Sequence, residues 1–190
     1  MKNIRQTKVI LEATLVLTKI LELLHWIGAA SMLVFGVFAI VTRQGEHDAL
    51  EKLISECGKE LSCYGFEMSV ADSSGAVNMS AILLFAIAAI MIFSLVAMIF
   101  RNIYLIAKKS KNSTPFQADN IRMLKEIGIF SISVPIGGLM MSIIARIVLG
   151  VDDVETSVNM YGFTMGVIVL CFTQFFVRGA ELEKDVEGLL

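Results

Sequence analysis

The stretch that decides the fold is MSAILLFAIAAIMIFSLVAMIF, residues 79–100, which contains no Asp, Glu, Lys or Arg. A helix of roughly 20 residues is about 30 Å long, and the hydrocarbon core of a bilayer has the same thickness. Three further windows of similar length also lack these four residue types: 23–41, 127–145 and 158–177. The sequence therefore predicts four membrane-spanning helices at about these positions.

The composition of the whole chain agrees with this prediction. Of its 190 residues, 56% are hydrophobic and 18% are charged, and its mean hydropathy is +0.74. A soluble domain of this size cannot bury so many apolar side chains in one core. The alternating pattern of a membrane barrel strand is absent, so helices are expected to pair their own backbone groups. We expect an all-α fold, an integral membrane four-helix bundle, with residues 1–190 forming a single domain.

The distribution of Lys and Arg predicts the orientation, because cytoplasmic flanks carry an excess of both. Basic residues cluster before the first window and in the middle loop, 101–126, whereas residues 147–157 have none. The first loop, 43–77, carries seven acidic and three basic residues. We therefore expect loop 43–77 to lie outside the cell, and the middle loop, the tail 178–190 and both termini to be cytoplasmic.

The first window is predicted to be a retained anchor. Small residues at 28–31 follow a basic start, as they do in a signal peptide, but the apolar run continues unbroken through Val41. Ahead of it, residues 9–24 have the spacing of an amphipathic helix. We expect that helix to run directly into the first span.

The exterior loop contains Cys57 and Cys63. Disulfides persist on the oxidising side of a membrane, so the sequence predicts a bridge between them. Two free thiols or a metal site are the alternatives. Two cysteines and the nearby His47 fall short of a structural zinc set, so no metal is expected.

The middle loop contains a predicted helix start. Thr114 can cap the first free amides, Pro115 suits the first helical position, and Gln117 follows three residues after the cap. The third helix is therefore expected to begin at Pro115. Phe116 and Asn120 would lie on its cytoplasmic turns.

Several residues inside the windows affect helix packing. Pro135 is expected to kink the third helix, and a gate or cavity could use that kink, although a bend that only improves packing is commoner. Gly162 and Gly166, four residues apart, would let the fourth helix approach a neighbour closely, more often within one bundle than between subunits.

An intramembrane polar cluster is expected at Lys19, Glu22 and His25, which share one helical face near the first window. Glu22 and His25 could relay protons or bind a cationic ligand. The simpler alternative is that Glu22 pairs with Lys19 at headgroup level and that His25 is satisfied by one polar neighbour.

No catalytic residues are predicted. The sequence has no Gly-rich phosphate loop, nucleophile elbow, metalloprotease helix or zinc spacing, and its windows offer almost no convergent polar groups. We therefore expect a protein that is not an enzyme and that has no cofactor. Direct binding to nucleic acid is not expected either, because no DNA-reading module is present.

Two signatures resemble the bacterial membrane proteins grouped as domain-of-unknown-function family 2975. The first is similar to the hallmark loop and third helix of that family, and it comprises Thr114, Pro115, Phe116, Asn120, Ile121, Leu124, Lys125, Ile127 and Gly128. The second is similar to the family's ending, and it comprises Phe176, Arg178, Gly179, Ala180, Glu181, Leu182 and Glu183. The resemblance covers the chain from the first span onward. The family usually ends in Asp-Leu-Thr and an aliphatic residue, whereas here Asp185 is followed by VEGLL, so no role of that motif is carried over.

The resemblance implies a multi-pass protein of the bacterial cytoplasmic membrane. Family members are often encoded beside a small helix-turn-helix regulator, which implies a membrane sensor or regulator with a cytoplasmic transcriptional regulator as its partner. The candidate partner surface comprises Thr114, Pro115, Phe116, Asn120, Leu182 and Val186. The alternative function is a small oligomeric transporter, channel or immunity protein. Four spans are few for a path, so this alternative requires a homo-oligomer whose shared cavity faces the polar cluster.

Overall fold

The computed structural model of the chain describes residues 2–42, 52, 54, 58–71, 76–111, 114–150 and 156–188. The elements, in chain order, are α1 (Lys2–Thr42), β1 (Glu60–Cys63), β2 (Phe66–Ser69), α2 (Met79–Lys109), α3 (Ala118–Leu149), β3 (Thr156–Val158) and α4 (Tyr161–Glu187). In the described part of the chain, these four helices are long and apolar enough to cross a membrane, in agreement with the four predicted spans.

Each helix packs against the helices next to it in the chain, α1 on α2, α2 on α3 and α3 on α4. Within the described ranges, no Cα pair closer than 8 Å joins α1 to α3 or α4, or α2 to α4. The central helices α2 and α3 are accordingly more buried than α1 and α4. The arrangement is therefore open along the side between α1 and α4.

Helix α1 has no break at the edge of the first window, and the start of α2 follows from local chemistry. Helix α1 runs unbroken from Lys2 to Thr42, so residues 9–24 continue directly into the first window, as expected. Helix α2 is capped by Asn78, whose side-chain oxygen accepts hydrogen bonds from the backbone N–H groups of Ser80 and Ala81 at 3.0 and 3.2 Å.

The predicted start of the third helix is wrong. Helix α3 begins at Ala118, its N-cap is Gln117, and the Gln117 side chain makes no capping hydrogen bond. The predicted cap, Thr114, instead donates its hydroxyl hydrogen to Glu183 Oε2 of α4 at 3.2 Å. A contact with another helix has replaced the local capping box.

Three short strands, which the sequence analysis did not predict, form one antiparallel sheet in the order β1-β2-β3. Cys63 pairs with Phe66 across the hairpin, and Phe66 pairs with Val158 of β3. The first two strands come from the loop between α1 and α2, and the third comes from the loop between α3 and α4. These two loops therefore lie on the same side of the helices.

The sheet packs beside the second half of α3, because α4 does not extend that far. A Cβ added at Gly162 near the start of α4 would lie 2.9 Å from the Ser131 carbonyl oxygen, so α4 begins at the middle of α3. Beyond that point a Cβ at Gly138 would lie 3.3 Å from Val158 of β3. Ser142 of α3 is hydrogen-bonded to Thr156. The sheet thus occupies the position that a longer fourth helix would take.

The two faces of the hairpin differ in polarity. Phe66, Met68 and Val70 are buried, and they join the apolar core that α2 provides. Glu60, Ser62 and Glu67 are exposed on the opposite face. This alternation with a period of two is typical of a strand with one solvated face.

Candidate functional site

The hairpin tip consists of Tyr64 and Gly65, which connect β1 to β2. Both have positive φ angles, 50° and 82° respectively. Glycine adopts such angles freely, whereas a residue with a side chain pays about 1–2 kcal/mol. The Asn159 backbone N–H donates to the Gly65 carbonyl oxygen at 2.8 Å, and a Cβ at Gly65 would lie 2.6 Å from Asn159 Cβ. The tip is therefore held tightly against the segment that leads into α4.

Tyr64 reaches across to α1, where its hydroxyl group is hydrogen-bonded to His25 Nε2. The other ring nitrogen, Nδ1, lies 2.6 Å from the Leu21 carbonyl oxygen. A carbonyl oxygen only accepts, so Nδ1 carries the hydrogen, and in this tautomer Nε2 accepts from the Tyr64 hydroxyl. The His25 ring is buried and lies 6.0 Å from the Phe93 ring and 5.2 Å from the Phe100 ring, between centroids.

The other two members of the predicted polar cluster form an ion pair. Lys19 Nζ lies 2.9 Å from Glu22 Oε2, and the side chains are 58% and 10% exposed respectively. Lys19 Nζ also lies 5.3 Å from the centroid of the Tyr104 ring, within the range of a cation–π contact. Lys19 thus forms an ion pair with the more buried Glu22, as in the simpler alternative given in the sequence analysis.

A cavity of about 360 Å³ lies beside the hairpin tip, and we call it the tip cavity. Its walls include Tyr64 from the hairpin, Val96 and Ile99 of α2, Val134 and Pro135 of α3, and Met165 of α4. Among the described residues that line it, none belongs to the cluster of Lys19, Glu22 and His25. Tyr64 connects the two regions, because its hydroxyl reaches His25 while the residue also forms part of the wall.

A second region lies at the other end of the helices, where the turn before α3 packs on α4. The Phe116 ring lies 5.7 Å from the Phe176 ring, between centroids. A Cβ at Gly179 would lie 2.6 Å from Phe116 Cε1, so only glycine leaves room for this ring. Together with the hydrogen bond between Thr114 and Glu183, this contact fastens the turn to α4.

A groove of about 550 Å³ runs between this turn and α4, and we call it the turn–tail groove. Phe116, Ile121 and Val177 form its apolar floor, and Glu181 and Glu183 lie along its acidic side. It combines an apolar base with charged edges, as sites for peptides and helices often do.

The predicted partner-surface residues divide into three groups. Thr114 and Phe116 line the groove, and Pro115 is exposed beside them. Asn120 is only 1% exposed; its Nδ2 donates to the Pro115 carbonyl oxygen at 3.3 Å, and its Oδ1 has no partner within the described structure. Leu182 and Val186 are 66% and 60% exposed.

The predicted disulfide is not supported. Cys63 is a free, buried thiol on the core-facing side of β1, where it packs as a small apolar residue. Burial raises the pKa of the Cys63 thiol to about 11, so the reactive thiolate is scarce at neutral pH. Cys57 and His47 lie outside the described residues.

Sequence reasoning missed the hairpin tip and its contact with His25. One signal was present, because Leu61, Cys63, Phe66 and Met68 alternate with polar residues on either side of a Tyr-Gly pair. Nothing in the sequence pointed to the partner of Tyr64, which lies 39 positions away on α1.

No protein-family model, curated protein or solved structure matches this chain. The resemblance to family 2975 therefore stays a prediction.

Proposed function

We propose that this chain is a non-enzymatic regulator of the bacterial cytoplasmic membrane, with both termini in the cytoplasm, that docks a cytoplasmic protein on the end of α4. One observation carries the proposal. Leu182 and Val186, which we call the tail stripe, are 66% and 60% exposed on the last turns of α4. They follow the charge-free window 158–177, so the proposal places them beyond the hydrocarbon core, on the cytoplasmic side.

The surroundings of the tail stripe favour a partner of a particular chemistry. Two aliphatic side chains spaced four residues apart form a continuous apolar strip on one face of a helix. Glu181, Glu183 and Asp185 place negative charge beside it. The partner that fits is an amphipathic helix with apolar anchors and basic flanks, since complementary charge steers association and fixes orientation. A small DNA-binding regulator, which the family resemblance implies, carries such basic residues.

The alternative of a transport path has less support. Transport through a shared cavity would require Lys19, Glu22 and His25 to line it. Glu22 and His25 are instead buried against their own partners, and the tip cavity in the described part of the chain is lined by other residues.

Substitution of the tail stripe tests the docking proposal. Leu182→Ser and Val186→Ser each remove an apolar anchor while leaving the membrane helices intact. We expect each to cost about 1–3 kcal/mol of binding free energy, which is roughly 10- to 100-fold in affinity. The measurement is recovery of the cytoplasmic partner with purified chain, together with transcription of the genes encoded beside it.

Arg178→Gln is the matched control, because Arg178 is exposed on the same helix but lies outside the stripe. It should leave partner recovery unchanged. Unchanged partner recovery and unchanged transcription in well-folded tail-stripe variants would exclude docking at this surface.

A further inference from the structure

Two lysine side chains from different helices converge on one tyrosine ring. Lys19 Nζ of α1 lies 5.3 Å from the centroid of the Tyr104 ring of α2, and Lys108 Nζ lies 5.8 Å from the same centroid. Both distances are within the range of a cation–π contact. The ring therefore keeps two ammonium groups near each other, and we call Lys19, Tyr104 and Lys108 the two-lysine site.

The positive charge of the two-lysine site is only partly neutralised. Glu22 accepts one hydrogen bond from Lys19 Nζ at 2.9 Å, but an ammonium group has three donors, and the Lys19 side chain is 58% exposed. Lys108 is also exposed, and among the described residues it forms no ion pair. The Tyr104 hydroxyl likewise makes no hydrogen bond within the described part of the chain. Two ammonium groups against one carboxylate leave a positive charge and free donors for an anion.

Apolar surface begins directly beside this charge. Ile20, Leu23 and Leu24 of α1 are 51%, 59% and 55% exposed. Leu23 follows Lys19 by four residues, so the two side chains are neighbours on one face of the helix. A ligand with a phosphate at one end and a hydrocarbon chain at the other matches both surfaces, whereas a free anion would use the lysines alone.

The two-lysine site also lies at one end of two charge-free windows. Window 23–41 begins four residues after Lys19, and window 79–100 ends four residues before Tyr104. The contact between Lys19 and Tyr104 brings these two ends together. Lysine and tyrosine at the end of an apolar helical segment are typical of contacts with lipid headgroups, whichever side of the membrane that end faces.

From the charge, the adjoining apolar surface and the position beside the windows, we propose that the two-lysine site binds the phosphate of an anionic phospholipid. The ammonium groups of Lys19 and Lys108 pair with the phosphate, and the Tyr104 hydroxyl donates to one of its oxygens. The hydrocarbon chain then lies along α1 over Leu23. The site shares no residue with the tail stripe, so it does not depend on the docking of a cytoplasmic protein.

Fluorescence of Trp26 tests this proposal. Trp26 is the only tryptophan of the chain, it is 42% exposed, and it follows Lys19 by seven residues, which places both on one face of α1. The purified chain is reconstituted in mixed vesicles of phosphatidylglycerol and phosphatidylcholine, with bromine on the hydrocarbon chains of one lipid at a time. Bromine quenches an indole only at short range. We expect brominated phosphatidylglycerol to quench Trp26 more strongly than brominated phosphatidylcholine at the same mole fraction.

A matched pair of variants distinguishes the two-lysine site from general attraction to anionic lipid. Lys108→Gln removes one ammonium group of the site, whereas Lys125→Gln removes the same charge from an exposed residue of α3 outside it. Lys108→Gln should lower the preference for phosphatidylglycerol about fivefold, which corresponds to about 1 kcal/mol. Lys125→Gln should leave the preference unchanged, and Lys108→Arg, which keeps the charge, should retain most of it.

Equal quenching of the wild-type protein by the two brominated lipids would overturn the proposal. An equal loss of preference in Lys108→Gln and Lys125→Gln would also overturn it, since only general attraction would remain. Calorimetric titration of the detergent-solubilised chain with inorganic phosphate tests the other source of the same chemistry, and we expect no heat of binding. Heat of binding that Lys108→Gln abolishes would assign the site to a free anion instead of a lipid.

Discussion

Among single residues, Tyr64 joins the hairpin, α1 and the tip cavity. It lies in the loop between α1 and α2, is paired through its hydroxyl with His25 of α1, and forms part of the tip cavity. A buried histidine beside Phe93 and Phe100 has few other polar groups to bond with. The tyrosine hydroxyl therefore supports the position of the hairpin and gives the buried ring a hydrogen-bond partner.

Removing that hydroxyl tests the contact. Tyr64→Phe leaves Nε2 of a buried His25 without a hydrogen donor, which costs about 1–3 kcal/mol when no replacement is available. We expect the purified variant to unfold at a lower midpoint concentration of denaturing detergent than the wild type. Tyr161→Phe is the control, because the Tyr161 side chain is 77% exposed and should tolerate the change. If Tyr64→Phe, Tyr161→Phe and the wild type unfolded at the same midpoint, the bond with His25 would contribute nothing to stability.

Gly179 is the second residue with a decisive role. Phe116 occupies the space that a Cβ would take there, 2.6 Å from Phe116 Cε1. Gly179→Ala should push the ring out and loosen the turn at a cost of about 1–3 kcal/mol, the usual range for overpacking. Limited proteolysis should then cleave residues 114–117 faster.

Gly188→Ala provides the control for this substitution, because a Cβ at Gly188 has its nearest neighbour at 3.4 Å. Proteolysis of the turn should not change in that variant. If Gly179→Ala were as resistant as the wild type, the turn would not depend on the ring packing against α4.

Among the helices and strands, the sequence predicted the long apolar elements well and the short ones poorly. Four charge-free windows are a strong signal, since few other structures tolerate so long an apolar run. The sheet was missed because β3 pairs with strands from a loop more than 80 positions away in the sequence, between Phe66 and Val158. Pairing over such a distance leaves no local pattern.

The start of α3 shows how a tertiary contact overrides a local rule. Thr114, Pro115 and Gln117 satisfy the sequence requirements of a capped helix start. The packing of Phe116 on α4 and the bond from Thr114 to Glu183 hold these residues in a turn instead. A propensity worth about 1 kcal/mol yields to an aromatic contact of similar or larger size.

For the molecule as a whole, the side of the membrane on which each loop lies decides what the sites can do. The sheet joins the loop before α2 to the loop before α4, so both lie on one side of the helices. The charge distribution predicted that the two loops lie on one side of the helices, and it also assigned this side to the exterior. Under this assignment the sheet faces the exterior and the tail stripe faces the cytoplasm.

Cysteine labelling in intact cells tests this orientation. In a chain whose own three cysteines are replaced, Ser62→Cys lies on the exposed face of the sheet and should react with a membrane-impermeant maleimide. Lys111→Cys, in the turn between α2 and α3, should react only after the cells are lysed. The reverse pattern would place the tail stripe outside the cell and exclude a cytoplasmic partner.

Under the proposed function, the tail stripe lies beyond the bilayer and meets a cytoplasmic protein. A photo-crosslinking amino acid placed at residue 182 in living cells tests this docking, with the same amino acid at residue 175 as a control inside the charge-free window. Docking predicts that residue 182 crosslinks to one cytoplasmic protein while residue 175 crosslinks to lipid. Crosslinks from residue 182 to lipid alone would contradict it.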